Sequence, residues 1–363
     1  MSKLSINVIV YSQKETKYIP FLFDSLAKQT FQDWEMIIVD NASDGDVLFV
    51  AETEIKKLGK PYRILRQSAN IGFAAGHNAA YKETKTPFVL LLNPDMYLLP
   101  DVLEKMVKFL EDHPQTATVS ARLMRWDFER VSAMTGGETL LKQAEAGFTS
   151  DIDAIGIRLF RNRRAVEWLT LERWAKDSDN PEIRKMYEKK ILEVFGVSGA
   201  FPMYRKTLID TVLLPDEHLF DPTYHSYKED LDLAYRLRNA GFTSYILLNA
   251  VAYHDRTGAG PKKMNDWAAI KNKKVQSAFV RYHSYKNHLR TLYKNEYWQN
   301  VLLDLPFIAW YELKKGIFLL LIDPKVVLRG WKEILQHVSY TKKAHRTIVK
   351  GRKMYWKGIR RWF

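Results

Sequence analysis

The chain contains no cysteine. Disulfides, thiolate nucleophiles and Cys-ligated metal centres are therefore excluded, and the absence fits a reducing compartment. It also lacks an uninterrupted apolar run of the roughly 18 residues that a membrane-crossing helix needs. The most apolar region, 297–321, holds Val301-Leu302-Leu303 and Leu305–Trp310 and runs into Ile317–Ile322, but Asp304, Glu312, Lys314 and Lys315 interrupt it. The first residues, MSKLSINVIVY, have no basic start, long apolar stretch or small-residue cleavage site, and read as a short strand instead of a secretory signal. Acids are nearly missing near the C-terminus. Residues 324–363 carry twelve Lys and Arg against Glu333 alone, so of a net charge of +14 only about +3 belongs to residues 1–323. A nucleic-acid-binding body would carry that charge itself, and no nucleic-acid partner is expected.

What is present suits a sizeable core: 363 residues, 46% of them hydrophobic, enough for one large or two ordinary domains. The N-terminal third alternates strand and helix. Ile6–Tyr11, Glu35–Val39, Tyr62–Leu65, Phe88–Leu92 and Thr116–Ala121 read as strands. Tyr18–Gln29, Val47–Leu58, Gly72–Lys82 and Pro100–Leu110 read as helices. Phe88–Leu92 is apolar throughout and ends at Asn93-Pro94, the pattern of a strand buried on both faces in a parallel sheet. The alternation implies right-handed crossovers and an α/β fold with a mostly parallel sheet. Residues 127–195 are less regular; Gly136-Gly137, Asp151/Asp153 and Arg161–Arg164 suggest loops and a hairpin, and 172–193 is partly helical. Glu229 opens a helix that runs to Asn239 and stops at Gly241, and the strand Ser244–Ala250 delivers Tyr253-His254.

Four strand ends carry polar groups: Tyr11, Asp40-Asn41, Asp95 and His254. In a parallel sheet such ends converge on one edge, where ligands bind. Asp95 by itself is equally a turn former. Paired with His254 it offers an oxygen and an imidazole nitrogen to Mg²⁺ or Mn²⁺, with a substrate phosphate completing the shell. The stretch Asn70-Ile-Gly72-Phe-Ala-Ala-Gly76-His-Asn78 is a glycine-rich helix start of the kind that receives phosphate, though helix–strand contact alone explains both glycines. Glu229-Asp230 open their helix where the dipole favours acids. One of them facing a metal-bound phosphate also suits a general base. Apolar, aromatic and basic residues together at 297–363 suit a helix on an anionic membrane surface.

In this order, Val39-Asp-Asn-Ala-Ser43, Asn70–Asn78, Leu92-Asn-Pro-Asp95, Val197-Ser-Gly-Ala200, Glu229-Asp-Leu-Asp-Leu233 with Arg236, and His254 resemble the family-two glycosyltransferases of GT-A fold, in particular bacterial rhamnosyltransferase-like members. The resemblance covers about residues 4–260. It implies that Tyr11, Asp40, Asn41, Asn70, Gly72, Gly76 and Asn78 hold the nucleotide, that Asp95 and His254 hold the metal, that Asp230 is the base of an inverting transfer, and that Glu229 orients base or acceptor. Asn93 stands where many relatives have a first metal-motif Asp, which implies weaker metal binding.

The expectation is a GT-A domain over 1–260 with an acceptor region at 127–195, a helical, partly amphipathic extension over 261–323 and a basic tail over 324–363. The expected activity is transfer of a sugar, first of all rhamnose from dTDP-rhamnose or else a UDP-sugar, to a lipid-linked or polysaccharide acceptor of the cell surface. The expected location is cytoplasmic, peripheral on the inner face of the membrane. A nucleotidyltransferase on a similar sheet and a basic nucleic-acid-binding protein are the alternatives. The first needs a basic glycine-rich loop after the first strand, where Tyr11-Ser-Gln-Lys-Glu-Thr16 stands.

Overall fold

The strand–helix alternation of the N-terminal third builds the parallel half of one sheet. In this computed structural model the described residues are 2–134, 137–256 and 276–363. Gly136 of the expected loop and the Gly258-Ala-Gly260 segment after His254 lie outside them. Strand β1 (Leu4–Val10) pairs in parallel with β2 (Trp34–Asp40) and with β4 (Phe88–Leu92), and β2 pairs with β3 (Tyr62–Arg66). Helices α1 (Ile19–Ala27), α2 (Val47–Leu58) and α3 (Gly72–Glu83) make the crossovers. Every residue of β1 and β4 is buried, as the apolar run at 88–92 predicts. Pro20 sits in the first turn of α1, where its missing N–H costs no hydrogen bond.

The other half of the sheet is mixed. After β5 (Met96–Leu98) and α4 (Val102–Asp112), β6 (Thr116–Trp126) runs five residues past the expected end, at the point where the 127–195 region begins to pair with it. That region holds α5 (Phe128–Ser132), α6 (Leu140–Ala146), β7 (Phe148–Ala154), a small hairpin of β8 (Ile157–Leu159) and β9 (Ala165–Glu167), α7 (Pro181–Met186) and β10 (Ile191–Glu193). β11 (Met203–Arg205) is antiparallel to both β4 and β6, and β12 (Thr243–His254) is parallel to β6. The order is β10-β12-β6-β11-β4-β1-β2-β3, with β7 on β6 and β5 on β12. Two successive reversals across β11 leave β12 pointing the same way as β4, so the C-terminal ends of β1, β2, β4 and β12 share one edge.

The segment 203–239 adds α8 (Lys206–Ile209) and α9 (Glu229–Asn239), and the described C-terminal region is helical: α10 (Ala278–Asn295), α11 (Trp298–Ile322), α12 (Pro324–Gln336), α13 (Val338–Lys350) and α14 (Trp356–Arg360). Residues 324–363, expected as a basic tail, are helical over most of their length and contact the α/β body. Lys353 and Met354 donate their backbone N–H to the Asn239 carbonyl, and Trp362 stacks edge-on to Phe195. Buried charge ties the preceding helix, α10, to the same body. Lys294 on α10 is fully buried, 2.8 Å from Asp221 and 2.9 Å from Asp232, and Arg290 reaches Asp221 at 3.3 Å while Arg236 holds Asp232 at 3.1 Å. A second cluster sets buried Asp304 of α11 against Arg161, Arg163 and, from α14, Arg360. Of the basic residues that composition assigns to a tail, Arg361 pairs with Glu193 and Lys343 with Asp216 of the α/β body, and Arg360 with Asp304 of α11. Burial alone would raise the Asp221 pKa, but Lys294 and Arg290 overcome it and hold the carboxyl low.

Removing one partner of such a group strands the others without solvent. Lys294→Met is expected to destabilise the protein by about 3–5 kcal/mol in urea unfolding, since two buried carboxylates lose their shared cation. A change below about 1 kcal/mol would show that the cluster is not a tether.

Candidate active site

The turn Asn93-Pro94-Asp95 is short because the chain crosses at once from β4 to pair with the last residues of β12. Met96, Tyr97 and Leu98 face His254, Tyr253 and Ala252 in antiparallel register. This crossing sets Asp95 against His254, with Oδ1 3.2 Å from Nε2. The other ring nitrogen, Nδ1, lies 2.8 Å from Oδ2 of Asp153, at the end of β7. Asp153 is completely buried and also faces Arg256 at 3.3 Å and Arg125 at 3.6 Å. Burial works against a charged imidazole, yet the carboxylates of Asp95 and Asp153 outweigh it and raise the His254 pKa to about 9.

The pair fits a divalent ion of the Mg²⁺ or Mn²⁺ type in a particular way. Asp95 and His254 supply one hard oxygen and one imidazole nitrogen, and Asp153 fixes the ring as such second partners do for metal-bound histidines. Among the described residues no cluster of three or more His, Asp or Glu is placed to hold a metal. Asn93 offers at most a neutral amide oxygen, which neutralises less of the ion's charge than a carboxylate. The donor set therefore matches an ion held jointly with a substrate diphosphate, not one caged by protein alone.

From Arg256 the polar chain continues to the second acidic pair. Its guanidinium lies 3.3 Å from Oε1 of Glu167 and donates to Ser198 Oγ at 3.0 Å. The next residue, Gly199, donates its N–H to Oδ2 of Asp230 at 3.3 Å, and Leu231 donates to Oδ1 at 2.7 Å. Asp230 remains partly open to solvent at the start of α9, while Glu229 is buried with Oε2 lacking a hydrogen-bond partner. Burial first, and then the neighbouring Asp230 charge, raises the Glu229 pKa to about 8. Burial and the Asp230 charge thus favour the protonated form of Glu229, the form that can donate a hydrogen bond. Lys228, just before α9, has a left-handed backbone (φ 71°), which turns the chain sharply into the helix.

The other expected nucleotide residues divide by task. Tyr11 is about half exposed at the end of β1, and its backbone N–H donates to Glu15, a buried acid whose pKa burial raises to about 7. Asp40 accepts from the Ser43 backbone and hydroxyl, which holds it at the end of β2. Asn70 is exposed, and its Oδ1 accepts from Gly72 N and from the Asn41 amide. Asn41 in turn accepts from Ile71 N. Asn78 uses both ends of its amide on the backbone of Phe220. The α3 start does not present a ring of open N–H groups to a phosphate: Ala74 N donates to the His225 carbonyl, and Ile71 and Gly72 are capped by asparagines. Gly72 (φ +84°) admits that carbonyl, since a Cβ there would lie 2.7 Å from it, and Gly76 lets α3 approach Ile9 of β1. These glycines serve close contact, and Asn41 and Asn78 serve loop construction.

Glu15, Glu167 and Arg256 carry no site signal of their own in the sequence, and Asp153 reads there as a loop residue. The one signal was adjacency, since Arg256 lies two residues after His254. Nothing in the spacing connects 153 or 167 to 254.

Two consequences are measurable. A metal-binding imidazole must be neutral, so divalent-ion affinity should rise with pH toward about 9, where the proton leaves His254 unaided. Asp153→Asn should weaken Mn²⁺ binding by about 10–100-fold in calorimetry. Equal affinity in wild type and variant would deny Asp153 its orienting part. For Glu229 the sign runs the other way from a paired acid. Its raised pKa means the folded state holds a proton that the unfolded state releases near 4.5, so stability falls as pH rises from there to about 8. Glu229→Gln should flatten that decline in thermal melts; an unchanged pH profile would contradict the assignment.

The matches to known proteins follow the same region. The family model described as Glycosyl transferase family 2 matches residues 5–213, which includes Asp95 and Gly199 and stops before Asp230 and His254. The poly(ribitol-phosphate) beta-N-acetylglucosaminyltransferase TarS of Staphylococcus aureus (strain Mu50) is 30% identical over 112 residues, 30% of this chain and 19% of TarS. The uncharacterized glycosyltransferase YfnE of Bacillus subtilis (strain 168) is 24% identical over 276 residues, 73% of this chain and 67% of its own length. The matched part of the chain spans 35% or less of the length of the first curated relatives. A crystal structure of GalNAc-T7 with UDP, GalNAc and Mn²⁺ shares the fold with a TM-score of 0.53 at 11% identity, over 81% of this chain and 48% of that one. With a GT-A-like sheet, its strand ends gathered at one edge and more than half its length matched, the chain belongs to glycosyl transferase family 2.

Proposed function

We propose that the chain transfers a sugar from a nucleoside-diphosphate donor to a lipid-linked or polysaccharide acceptor of the cell surface, with inversion at the anomeric carbon. The observation that carries this is the continuous polar chain Asp95–His254–Asp153–Arg256–Ser198–Gly199–Asp230, which ties a metal-type pair at the sheet edge to a half-open carboxylate. When bound between Asp95 and His254, Mg²⁺ or Mn²⁺ would supply charge neutralisation for the leaving diphosphate. The half-open Asp230 carboxylate takes the proton of the acceptor hydroxyl as that oxygen attacks the anomeric carbon. The bond to the diphosphate oxygen breaks on the opposite face, and the single displacement inverts the centre. Glu229, neutral beside it, keeps a second negative charge away from the base and offers its proton as a hydrogen bond. Tyr11, Asp40 and Asn70 line the nucleotide side, with Asn41, Gly72, Gly76 and Asn78 shaping the wall behind them. The 127–195 region, which supplies Asp153 and Glu167, borders the acceptor side.

Rhamnose from dTDP-rhamnose is the donor that the Asn-Pro-Asp motif at 93–95 favours. A UDP-sugar is the second reading, favoured by the relative TarS, named as an N-acetylglucosaminyltransferase. That relative and the teichoic acid poly(glycerol phosphate) polymerase of Staphylococcus epidermidis, 32% identical over 109 residues, support a cell-wall polymer as acceptor. The reading places the enzyme on the cytoplasmic face of the cell membrane, where such acceptors are elongated.

A thermal-shift panel of dTDP, UDP, GDP and CMP with and without Mn²⁺ is expected to give a metal-dependent rise with dTDP or UDP. Asp230→Asn should keep that shift while transfer falls by about 10²–10⁴-fold. Transfer retained by the variant would remove Asp230 as base.

A further inference from the structure

Helix α11 (Trp298–Ile322) is inside out. The side it turns to the protein is polar: Asn300, Asp304 and Lys315 are buried there, with Leu319 the apolar exception. Asp304 is gripped by Arg161, Arg163 and Arg360. Glu312 lies 3.1 Å from His288 and pairs with Lys315, and Asn300 donates to the Trp356 carbonyl at 2.9 Å. The outward side is apolar, with Leu302, Leu303, Phe307, Trp310 (61% exposed), Leu313 and Leu321 (81%) among its residues. At about 100° per residue these positions span about 140° of the helix circumference, and with the exposed Leu305 roughly 200°. A helix of a soluble domain shows the reverse arrangement. In water this face would keep several large side chains hydrated at about 1.5–3 kcal/mol each.

Helix α12 (Pro324–Gln336) continues the surface. Val326, Val327 and Gly330 face inward, where Gly330 meets Tyr285 of α10. Leu328, Trp331 and Leu335 face outward. The exposed Lys325, Arg329 and Lys332 form a stripe about 90° further round the same helix, on the flank of the apolar one. No helix among the described residues is long and apolar enough to cross a membrane.

We propose that the outward face of α11 and α12 docks in the plane of an anionic lipid bilayer. Its Trp, Phe and Leu side chains enter the acyl boundary, and Lys325, Arg329 and Lys332 lie at the headgroups. Three observations favour lipid over a second copy of this chain. The apolar arc is about twice the width of the stripe that one packed helix covers. The aromatic residues stand beside basic ones, the pairing of interfacial helices. The surrounding segment 324–363 has twelve Lys and Arg against one acid, and after Lys343, Arg360 and Arg361 are paired with Asp216, Asp304 and Glu193 it keeps an excess of cations, complementary to anionic lipid and repulsive to itself. The inference deepens the reading of a membrane-presented acceptor, on which it rests for its biological purpose, and it places the contact on folded helices instead of a free tail.

The test uses the full chain with phosphatidylcholine vesicles, with or without phosphatidylglycerol, in sedimentation and in quenching of tryptophan by brominated acyl chains. The wild type is expected to sediment with anionic vesicles and to be quenched by them. Leu313→Asp with Ile317→Asp, both exposed positions, should lower binding about tenfold or more with an unchanged thermal melt. Lys325→Glu with Lys332→Glu should lower binding to anionic vesicles and make the binding that remains less sensitive to salt. Wild type that ignores both vesicle types, or binding unchanged in the Leu313/Ile317 variant, overturns the proposal. So does a lipid-free dimer that this variant dissociates, which would give the face to a second copy. Nucleoside-diphosphate binding measured on the same samples separates failure of docking from failure of the transferase reading.

Discussion

The site depends on one contact, the imidazole of His254 held between Asp95 and Asp153. Three segments separated by 58 and 101 residues must arrive together for it to exist. Each is placed by a different device: Asp95 by the crossing of β5 onto the end of β12, His254 by the last pair of that ladder, and Asp153 by β7 lying on β6. Because both ring nitrogens are occupied, the ring cannot turn without breaking a charge-assisted hydrogen bond. That fixes which nitrogen faces Asp95. Arg256 then shares Asp153 with His254, so the same carboxylate that orients the imidazole also anchors the polar route toward Asp230. A perturbation at Asp153 is therefore felt at both ends of the site.

Charge compensation runs through the whole molecule on a larger scale. Asp221, Asp232 and Asp304 are fully buried acids, and each is answered by cations from elements distant in sequence. A buried ion of one sign is costly unless paired. The C-terminal helices are thus needed by the catalytic body electrostatically as well as sterically. This has a consequence for surface chemistry. α11 spends its polar residues on inward pairing, and its apolar residues are left to face outward. The same balance that attaches the helix creates the surface proposed to meet lipid.

The glycine-rich stretch before α3 shows how one pattern serves two chemistries. Glycines at a helix start suit a phosphate, and they suit close contact with another part of the protein. Here the neighbour is the chain at His225, whose carbonyl takes the Ala74 N–H. The Ile71, Gly72 and Ala74 backbone donors are taken up within the protein, by Asn41, Asn70 and the His225 carbonyl.

By itself the sequence determined the local structure and the direction of the sheet. Five apolar residues at 88–92 bounded by Asn93-Pro94 suit a doubly buried strand, Pro20 and Gly241 mark a helix start and a helix end, and the strand–helix alternation of the N-terminal third goes with parallel pairing and polar ends on one edge. Those are short-range constraints, written in neighbouring residues. Tertiary structure decided the rest. β5 is three residues long and takes its register from β12, not from its own pattern. Asp153 and Glu167 became site residues because β7 and β9 fold beside residues that follow nearly a hundred positions later. The period of α11 tells which residues share a face; which of its two faces turns inward depends on Arg161, Arg163, His288 and Arg360, and the pairing energy of buried charge outweighed the burial of leucine.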